Sequence, residues 1–134
     1  MTADTSAVIA ALSTWHEQHV VAAEAIADVR ALPAHALLEA YSVLTRLPGG
    51  LAVDPTEAAR VLAAAFDAAP LQVPARERRR MLDGFAGAGV AGGASYDGLV
   101  GLEARANEQM LITLDRRALE TYRRLDVPAR LLAG

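Results

Sequence analysis

One short apolar segment, Met110-Leu111-Ile112-Thr113-Leu114, is the clearest strand in a sequence that otherwise favours helices. Asp115 and a predicted helix through Arg124 follow it, residues 127–132 predict a closing strand, and residues 1–3 precede Asp4 as a short first strand. Short apolar strands that alternate with helices favour a parallel sheet with helices on both faces. We therefore expect a single α/β domain over residues 1–134.

The segments between the strands are typical of helices. Alanine, the strongest helix former, accounts for 30 of the 134 residues. Asp54-Pro55-Thr56-Glu57 is a strong helix start, because it combines an N-cap carboxylate, a proline at the first position and an acid at the third. Thr14-Trp15-His16-Glu17 has the capping-box pattern and predicts a helix that runs to about Val29. Further helices are predicted over residues 6–12, 35–47, 74–85 and 96–108.

The five glycines of residues 84–93 predict a loop, and Ser95 is a candidate cap for the helix that follows. Residues 87–92, Gly87-Ala88-Gly89-Val90-Ala91-Gly92, match the dinucleotide-binding pattern of glycines. That pattern needs a strand before it and an acid about twenty residues later, whereas here a helix precedes it. We therefore expect a loop ahead of Asp97 and no dinucleotide cofactor.

The chain contains neither lysine nor cysteine, so all 13 of its basic side chains are arginine. P-loop NTPases and protein kinases need a lysine at the phosphates, and Schiff-base enzymes need its amine. Receiver domains and haloacid-dehalogenase-like phosphatases normally need a lysine as well. The missing cysteine excludes disulfide scaffolds, thiol nucleophiles and Cys-ligated zinc.

The sequence predicts a soluble cytoplasmic protein without a membrane span. Its longest uncharged stretch, residues 84–96, has 13 residues and is too short to cross a bilayer. The first residues contain Asp4 and no basic group, unlike a secretory signal. A net charge of −3 argues against a general basic coat for nucleic acid, although local arginine clusters could bind phosphate.

Acidic residues stand where the predicted strands end and where predicted helices begin. Asp4 and Asp115 each follow a strand, and a doubly wound sheet brings such residues to one edge. Glu39 and Asp97 lie in the first turns of helices that the same topology places nearby. Carboxylates that converge without lysine repel one another, and a hard cation such as Mg²⁺ or Mn²⁺ relieves that repulsion. Such a centre suits hydrolysis of a phosphodiester.

Four segments resemble the acidic motifs of PIN-domain proteins, in the order of that family. They are Asp4-Thr5-Ser6-Ala7-Val8, Leu38-Glu39-Ala40-Tyr41, Asp97-Gly98-Leu99-Val100-Gly101 and Leu111-Ile112-Thr113-Leu114-Asp115. Together with the tail Tyr122-Arg123-Arg124-Leu125, they span nearly the whole chain. By size and layout the sequence is most similar to the VapC-like toxins of bacterial toxin–antitoxin pairs.

This resemblance implies a three-layer α/β/α PIN-like domain with a short central parallel sheet. It also implies a Mg²⁺- or Mn²⁺-dependent endoribonuclease that acts on RNA, forms a homodimer and is neutralised by a cognate VapB-like antitoxin. The alternatives are a catalytically silent PIN-like module that only binds a partner protein, and a metal-dependent DNA nuclease or phosphatase on a similar sheet.

The resemblance also assigns the expected site residues. The acids that would bind the metal and carry catalysis are Asp4, Glu39, Asp97 and Asp115. Ser6 and Thr113 become hydroxyls that orient the carboxylates or metal-bound water. The sequence departs from the family in its short first strand and at Gly98, where the family normally has a small residue such as alanine and where glycine weakens the helix start.

The arginines and histidines carry further predictions. Arg116 and Arg117 directly follow Asp115 and are candidates for binding the phosphate. The basic run of residues 76–80 spreads around its helix and is interpreted as a solvated face, a partner contact or an RNA contact. His16 and His19 are three residues apart, one too few for a zinc-binding HExxH helix.

Two aromatic side chains also have open interpretations. His35 stands one helical turn before Glu39 and is close enough to contact it, more readily as a structural neighbour than as a catalytic base. Trp15, the single tryptophan, belongs either to the core or to a groove that holds an antitoxin segment.

Overall fold

The computed structural model describes residues 1–132 of the chain. Helices form most of this part, as the alanine content predicts. The α-helices are α1 (Thr5–Leu12), α2 (His19–Ala25), α3 (Ala34–Thr45), α4 (Pro55–Ala65), α5 (Arg78–Ala88), α6 (Ala94–Ala106) and α7 (Arg116–Arg124), and a 3-10 turn at Ala75–Glu77 leads into α5. Within these residues, no helix combines the length and apolar character needed to cross a bilayer.

A small parallel sheet lies at the centre of the fold. Its strands β1 (Thr2–Ala3), β2 (Leu111–Thr113) and β3 (Ala129–Leu131) stand side by side in that order. Ala3 pairs with Ile112, and Ile112 pairs with Arg130 on its other side. The strands are shorter than the sequence predicts, but their order and parallel direction confirm the expected α/β/α domain.

The two faces of the sheet bury different sets of helices. Successive side chains of a strand point to opposite faces, and β2 divides its apolar residues accordingly. Ile112 joins a core with residues of α1, α2, α3 and α4, whereas Leu111 joins a second core with residues of α5, α6 and α7. The sheet is therefore covered on both sides, and its carboxyl edge is left for a site.

Several helix ends follow the local signals in the sequence. The backbone N–H of Thr56 donates to the carboxylate of Asp54 at 3.2 Å, so Asp54 caps α4 as predicted. Asp4 and Asp115 cap α1 and α7 in the same way. A carboxylate at an N-cap binds amides that have no partner inside the helix, which explains why these starts are predictable.

The predicted capping box at Thr14 is wrong. Helix α2 begins at His19 and ends at Ala25, and residues 14–18 form turns instead. The imidazole Nδ1 of His16 accepts the N–H of Gln18 at 3.0 Å, and Nδ1 of His19 lies 2.9 Å from the carbonyl oxygen of Ala10 on α1. The His16 ring therefore binds a backbone N–H within the predicted helix, and the His19 ring connects the first residue of α2 to α1.

The predicted loop over residues 84–93 is also wrong in its first half. Helix α5 continues through two of the glycines, because Phe85 packs into the core beside them. It ends at Ala88, and the next residue, Gly89, caps it with a φ of +73°, which suits a residue without a side chain. Ser95 is not the cap of α6, which begins at Ala94 after Gly93.

Candidate metal centre

The four predicted acids line one open cavity of about 720 Å³ at the carboxyl ends of β1 and β2. Its polar lining includes Asp4, Ser6, Glu39, Asp97, Asp115 and Arg116. These residues lie in four helices, α1, α3, α6 and α7, or cap them, so the parallel topology brings together groups that are distant in sequence. Ligand sites of parallel α/β sheets form at this edge.

Asp4 is the buried member of this set. It is 4% exposed and caps α1, and its Oδ1 accepts hydrogen bonds from Ser6 Oγ at 2.6 Å and from the N–H of Ala7 at 3.3 Å. Its Oδ2 accepts one from the hydroxyl of Tyr122 at 2.8 Å. Burial raises the pKa of Asp4, and hydrogen bonds from its neighbours oppose that rise. The carboxylate is therefore held in one orientation.

Asp97, in the first turn of α6, carries the clearest electrostatic signature of the cavity. Its pKa is raised to about 6, first by partial burial and then by the negative charges of Asp4, Asp115 and Glu39. Within residues 1–132 no side chain or amide donates a hydrogen bond to its carboxylate, so these repulsions are not offset by a protein donor. A positive charge placed among the four acids would lower the energy of all of them.

Glu39 and Asp115 are each held through one oxygen. Thr5 Oγ1 donates to Oε1 of Glu39 at 2.5 Å. Oδ1 of Asp115 accepts the N–H groups of Arg117 at 2.8 Å and Ala118 at 3.3 Å at the start of α7. The second oxygen of each carboxylate has no protein donor within residues 1–132, so each acid combines a fixed orientation with a free ligand atom.

The two predicted hydroxyls connect the acids to β2. Ser6 Oγ donates to Asp4, accepts the N–H of Leu114 at 2.9 Å and lies 3.3 Å from Thr113 Oγ1. Thr113 Oγ1 in turn accepts the N–H of Asp115 at 3.0 Å. The hydroxyls thus link the ends of β1 and β2, which is the orienting arrangement that the resemblance implies.

The two predicted phosphate-binding arginines differ in their position relative to the cavity. Both arginines are exposed, but Arg116 lines the cavity, whereas Arg117 lies outside that lining and donates its backbone N–H to Asp115. The arginines of residues 76–80 are exposed on α5 and the turn before it, away from the lining of this cavity.

The two aromatic residues with open interpretations are now placed. His35 stacks on the ring of Tyr96, at 5.5 Å between ring centroids. Trp15 is 50% exposed, which excludes the core position.

Two residues that hold the acids are missing from the sequence-based prediction. Thr5 stands beside Asp4 inside the first acidic motif, so its position next to a predicted ligand could have drawn attention to it. Tyr122 lies 118 residues after Asp4, and no local pattern connects the two. His16 and Gln18 also line the cavity, through the turn that replaces the predicted start of α2.

The donor set fits a hard divalent cation. It consists of carboxylate oxygens, the ligands that Mg²⁺ and Mn²⁺ prefer, and it gathers negative charge that a cation would neutralise. Within residues 1–132 no three acidic or histidine side chains are arranged to hold an ion by themselves. Mg²⁺ usually binds through one or two carboxylates and keeps several waters, so an open cavity with oriented acids suits it.

A short parallel sheet between helical layers, with acids from four motifs at its carboxyl edge, defines the class of this protein. The family model for the PIN domain matches residues 1–125. The chain belongs to the PIN domain family.

Its curated relatives are ribonucleases of Mycobacterium tuberculosis. The chain is 43% identical to Ribonuclease VapC40 over 129 residues, which cover 96% of each chain. It is 44% identical to Ribonuclease VapC27 over 126 residues, which cover 92% of this chain and 90% of that protein.

Proposed function

We propose that this chain is a divalent-metal-dependent endoribonuclease, the toxin of a type II toxin–antitoxin pair. The observation that carries the proposal is the cavity lined by Asp4, Glu39, Asp97 and Asp115, in which burial and then repulsion by the other three acids raise the pKa of Asp97. The names of the two relatives, both ribonucleases, support RNA as the substrate.

In this proposal the four acids hold Mg²⁺ or Mn²⁺, one or two of them directly and the others through water molecules of the ion. When bound, the ion supplies a water of lowered pKa and screens the negative charge of the phosphodiester. Asp4 contributes a carboxylate whose direction is set by Ser6, Ala7 and Tyr122 before any ligand arrives. A preoriented ligand avoids part of the entropy that ordering it would otherwise require.

The other residues of the cavity either orient the acids or bind the substrate. Thr5 holds Glu39, and the N-terminal amides of α7 hold Asp115. Arg116 stands directly after Asp115 in the lining of the cavity. Its guanidinium has the planar shape that pairs with two phosphate oxygens, and we assign to it the binding of the scissile phosphate.

The partners follow from the same proposal. A cognate VapB-like antitoxin would cover apolar surface, and Trp15, Val20 and Leu38 are at least half exposed in this chain. A homodimer and a cytoplasmic site of action, where cellular RNA is available, complete the proposed function. Co-purification with the product of an adjacent antitoxin gene, followed by measurement of the mass of the complex, tests both partners.

The site is tested with purified protein, single-stranded RNA and Mg²⁺. We expect Asp4→Asn and Asp97→Asn each to lower the cleavage rate by at least about 100-fold, since each removes a proposed metal ligand. Asp83→Asn on the exposed side of α5 is the matched control and should cleave like the original protein. Unchanged cleavage by both site variants would overturn the assignment of the site.

The same preparation separates the alternative functions. A catalytically silent module would give neither cleavage nor thermal stabilisation when Mg²⁺ or Mn²⁺ is added. A DNA nuclease or a phosphatase would prefer a DNA strand or a phosphate monoester over RNA. The proposed ribonuclease requires both metal-induced stabilisation and a preference for RNA.

A further inference from the structure

Two aromatic side chains stack on each other at the surface. The rings of His35 on α3 and Tyr96 on α6 have centroids 5.5 Å apart and planes inclined by only 10°. His35 is half-buried, but Tyr96 is 59% exposed. Most of the tyrosine ring is therefore not buried in the core, and its orientation is nevertheless set by its aromatic neighbour.

This stacked pair, His35 and Tyr96, lies on α3 and α6 outside the lining of the carboxylate cavity, near residues that belong to that lining. Tyr96 directly precedes Asp97, and their Cα atoms are thus about 3.8 Å apart. His35 is four residues before Glu39, which places both on the same side of α3. The helices that carry the pair are thus the helices that supply two of the four acids.

The backbone beneath the pair is fixed by buried contacts. The N–H of His35 donates to Oε1 of Glu103 at 2.9 Å, and Glu103 is fully buried on α6. Gly98, two residues after Tyr96, packs directly against the ring of Phe85. Helices α3 and α6 are therefore joined beneath the pair, so that the surface on which the two rings lie is set before a ligand binds.

A flat, exposed aromatic ring next to a phosphate-cleaving site has the chemistry to bind a nucleobase. Every base presents a π-face, and stacking on an aromatic side chain is a common way to hold unpaired bases of RNA. A phosphodiester at the acids places the base of the flanking nucleotide close to the same helices. We propose that His35 and Tyr96 form a stacking platform for one base beside the cleaved bond, an inference that rests on the proposed ribonuclease function.

The experiment measures binding of a labelled single-stranded RNA by fluorescence anisotropy, in the Asp4→Asn background so that the RNA stays intact. We expect Tyr96→Ala to weaken binding about tenfold, the effect of losing one base–aromatic contact. Tyr96→Phe should restore the affinity, because it keeps the ring. Leu82→Ala is the control, since Leu82 is about as exposed as Tyr96 but lies on α5, which contributes no residue to the cavity lining.

Abasic RNA gives a second readout that a structural role of Tyr96 would not affect. Removing the base beside the cleaved bond should weaken binding to the protein with Tyr96 and leave binding to Tyr96→Ala unchanged. Base removal that weakens binding equally for both proteins would overturn the platform. So would a Tyr96→Ala protein that binds the intact RNA as tightly as the protein with Tyr96. If Tyr96→Ala unfolds, Tyr96→Leu, which keeps apolar bulk without a π-face, takes its place.

Failure of the platform and failure of the proposed function are distinguishable. If the original protein cleaves RNA and Tyr96→Ala cleaves it with an unchanged KM, only the platform is wrong. A raised KM with a nearly unchanged kcat supports it, because a base contact beside the reacting bond contributes mainly to substrate binding. If the original protein neither binds nor cleaves RNA, both proposals are wrong.

Discussion

The hydroxyl of Tyr122 donates a 2.8 Å hydrogen bond to Oδ2 of Asp4, across 118 residues of sequence. Both side chains are buried, and the phenol comes from the last helix, whereas the acid ends the first strand. Burial and the nearby negative charges raise the pKa of Tyr122, so its hydroxyl is protonated and can donate at neutral pH. The fold thus places a neutral donor, not a cation, on the most buried acid of the site.

Tyr122→Phe removes that donor and keeps the ring that packs against Gly101. A buried carboxylate that loses a hydrogen bond costs about 1–3 kcal/mol, so we expect the free energy of unfolding to fall by that amount in urea titrations. Metal-induced stabilisation should fall as well, because Asp4 is less firmly oriented. Tyr41→Phe is the control, since the Tyr41 hydroxyl makes no hydrogen bond within residues 1–132. Equal stability of the two variants would contradict the role of the Tyr122 hydroxyl.

Asp97 makes the metal-free protein less stable as the pH rises. Its pKa is about 6 in the folded chain and 3.8 in the reference state. When folding raises the pKa of an acid, its contribution to stability is fully present below the pKa of the unfolded state. That contribution is lost as the pH rises through the pKa of the folded state. We expect thermal unfolding in EDTA to show this decline between about pH 4 and about pH 6.

The Asp97→Asn variant and added Mg²⁺ should both counter this loss. Asp97→Asn removes the charge, so its metal-free form should be the more stable one at about pH 7. Mg²⁺ should raise the unfolding temperature of the original protein more at about pH 7 than at about pH 5, where Asp97 is largely protonated. A pH profile of Asp97→Asn that matches the original protein would contradict the assignment.

Gly98 is required by the close approach of Phe85. A Cβ added there would lie 2.8 Å and 2.9 Å from atoms of the Phe85 ring and 3.3 Å from Leu125. We expect Gly98→Ala to destabilise the protein by about 1–3 kcal/mol, because both neighbours are buried and cannot move freely. Gly84→Ala, also in a helix but with open space around it, should instead stabilise by up to about 1 kcal/mol. Denaturant unfolding of both variants compares them, and equal stabilities would contradict this account.

Arg116 and Arg117 are adjacent, yet we expect them to contribute unequally to RNA cleavage. Arg116 lines the cavity, whereas the side chain of Arg117 is exposed outside that lining. Arg116→Ala should lower kcat/KM about tenfold, as for the loss of one charged hydrogen bond. Arg117→Ala should lower it by less than about threefold, because its backbone N–H to Asp115 remains. A larger loss for Arg117→Ala would reverse the assignment of the phosphate contact.

Local signals explain the parts of the fold that the sequence predicts well. The cap at Asp54 and the strand before Asp115 depend on neighbouring residues only, and the structure contains both of them. The predicted helix start at Thr14 fails because His16 and His19 form competing contacts with a backbone amide and with α1. The predicted glycine loop fails in its first half because the packing of Phe85 outweighs the low helix propensity of its neighbours.

By itself, the sequence determined the α/β class, the order of the four acids along the chain and the two hydroxyls that accompany them. These features depend on residue types at short spacing, which local structure preserves. Only the tertiary structure decided that Tyr122 binds Asp4, that Thr5 orients Glu39 and that His35 stacks on Tyr96. Such contacts depend on how helices from distant parts of the chain pack against one sheet, and no local periodicity specifies that packing.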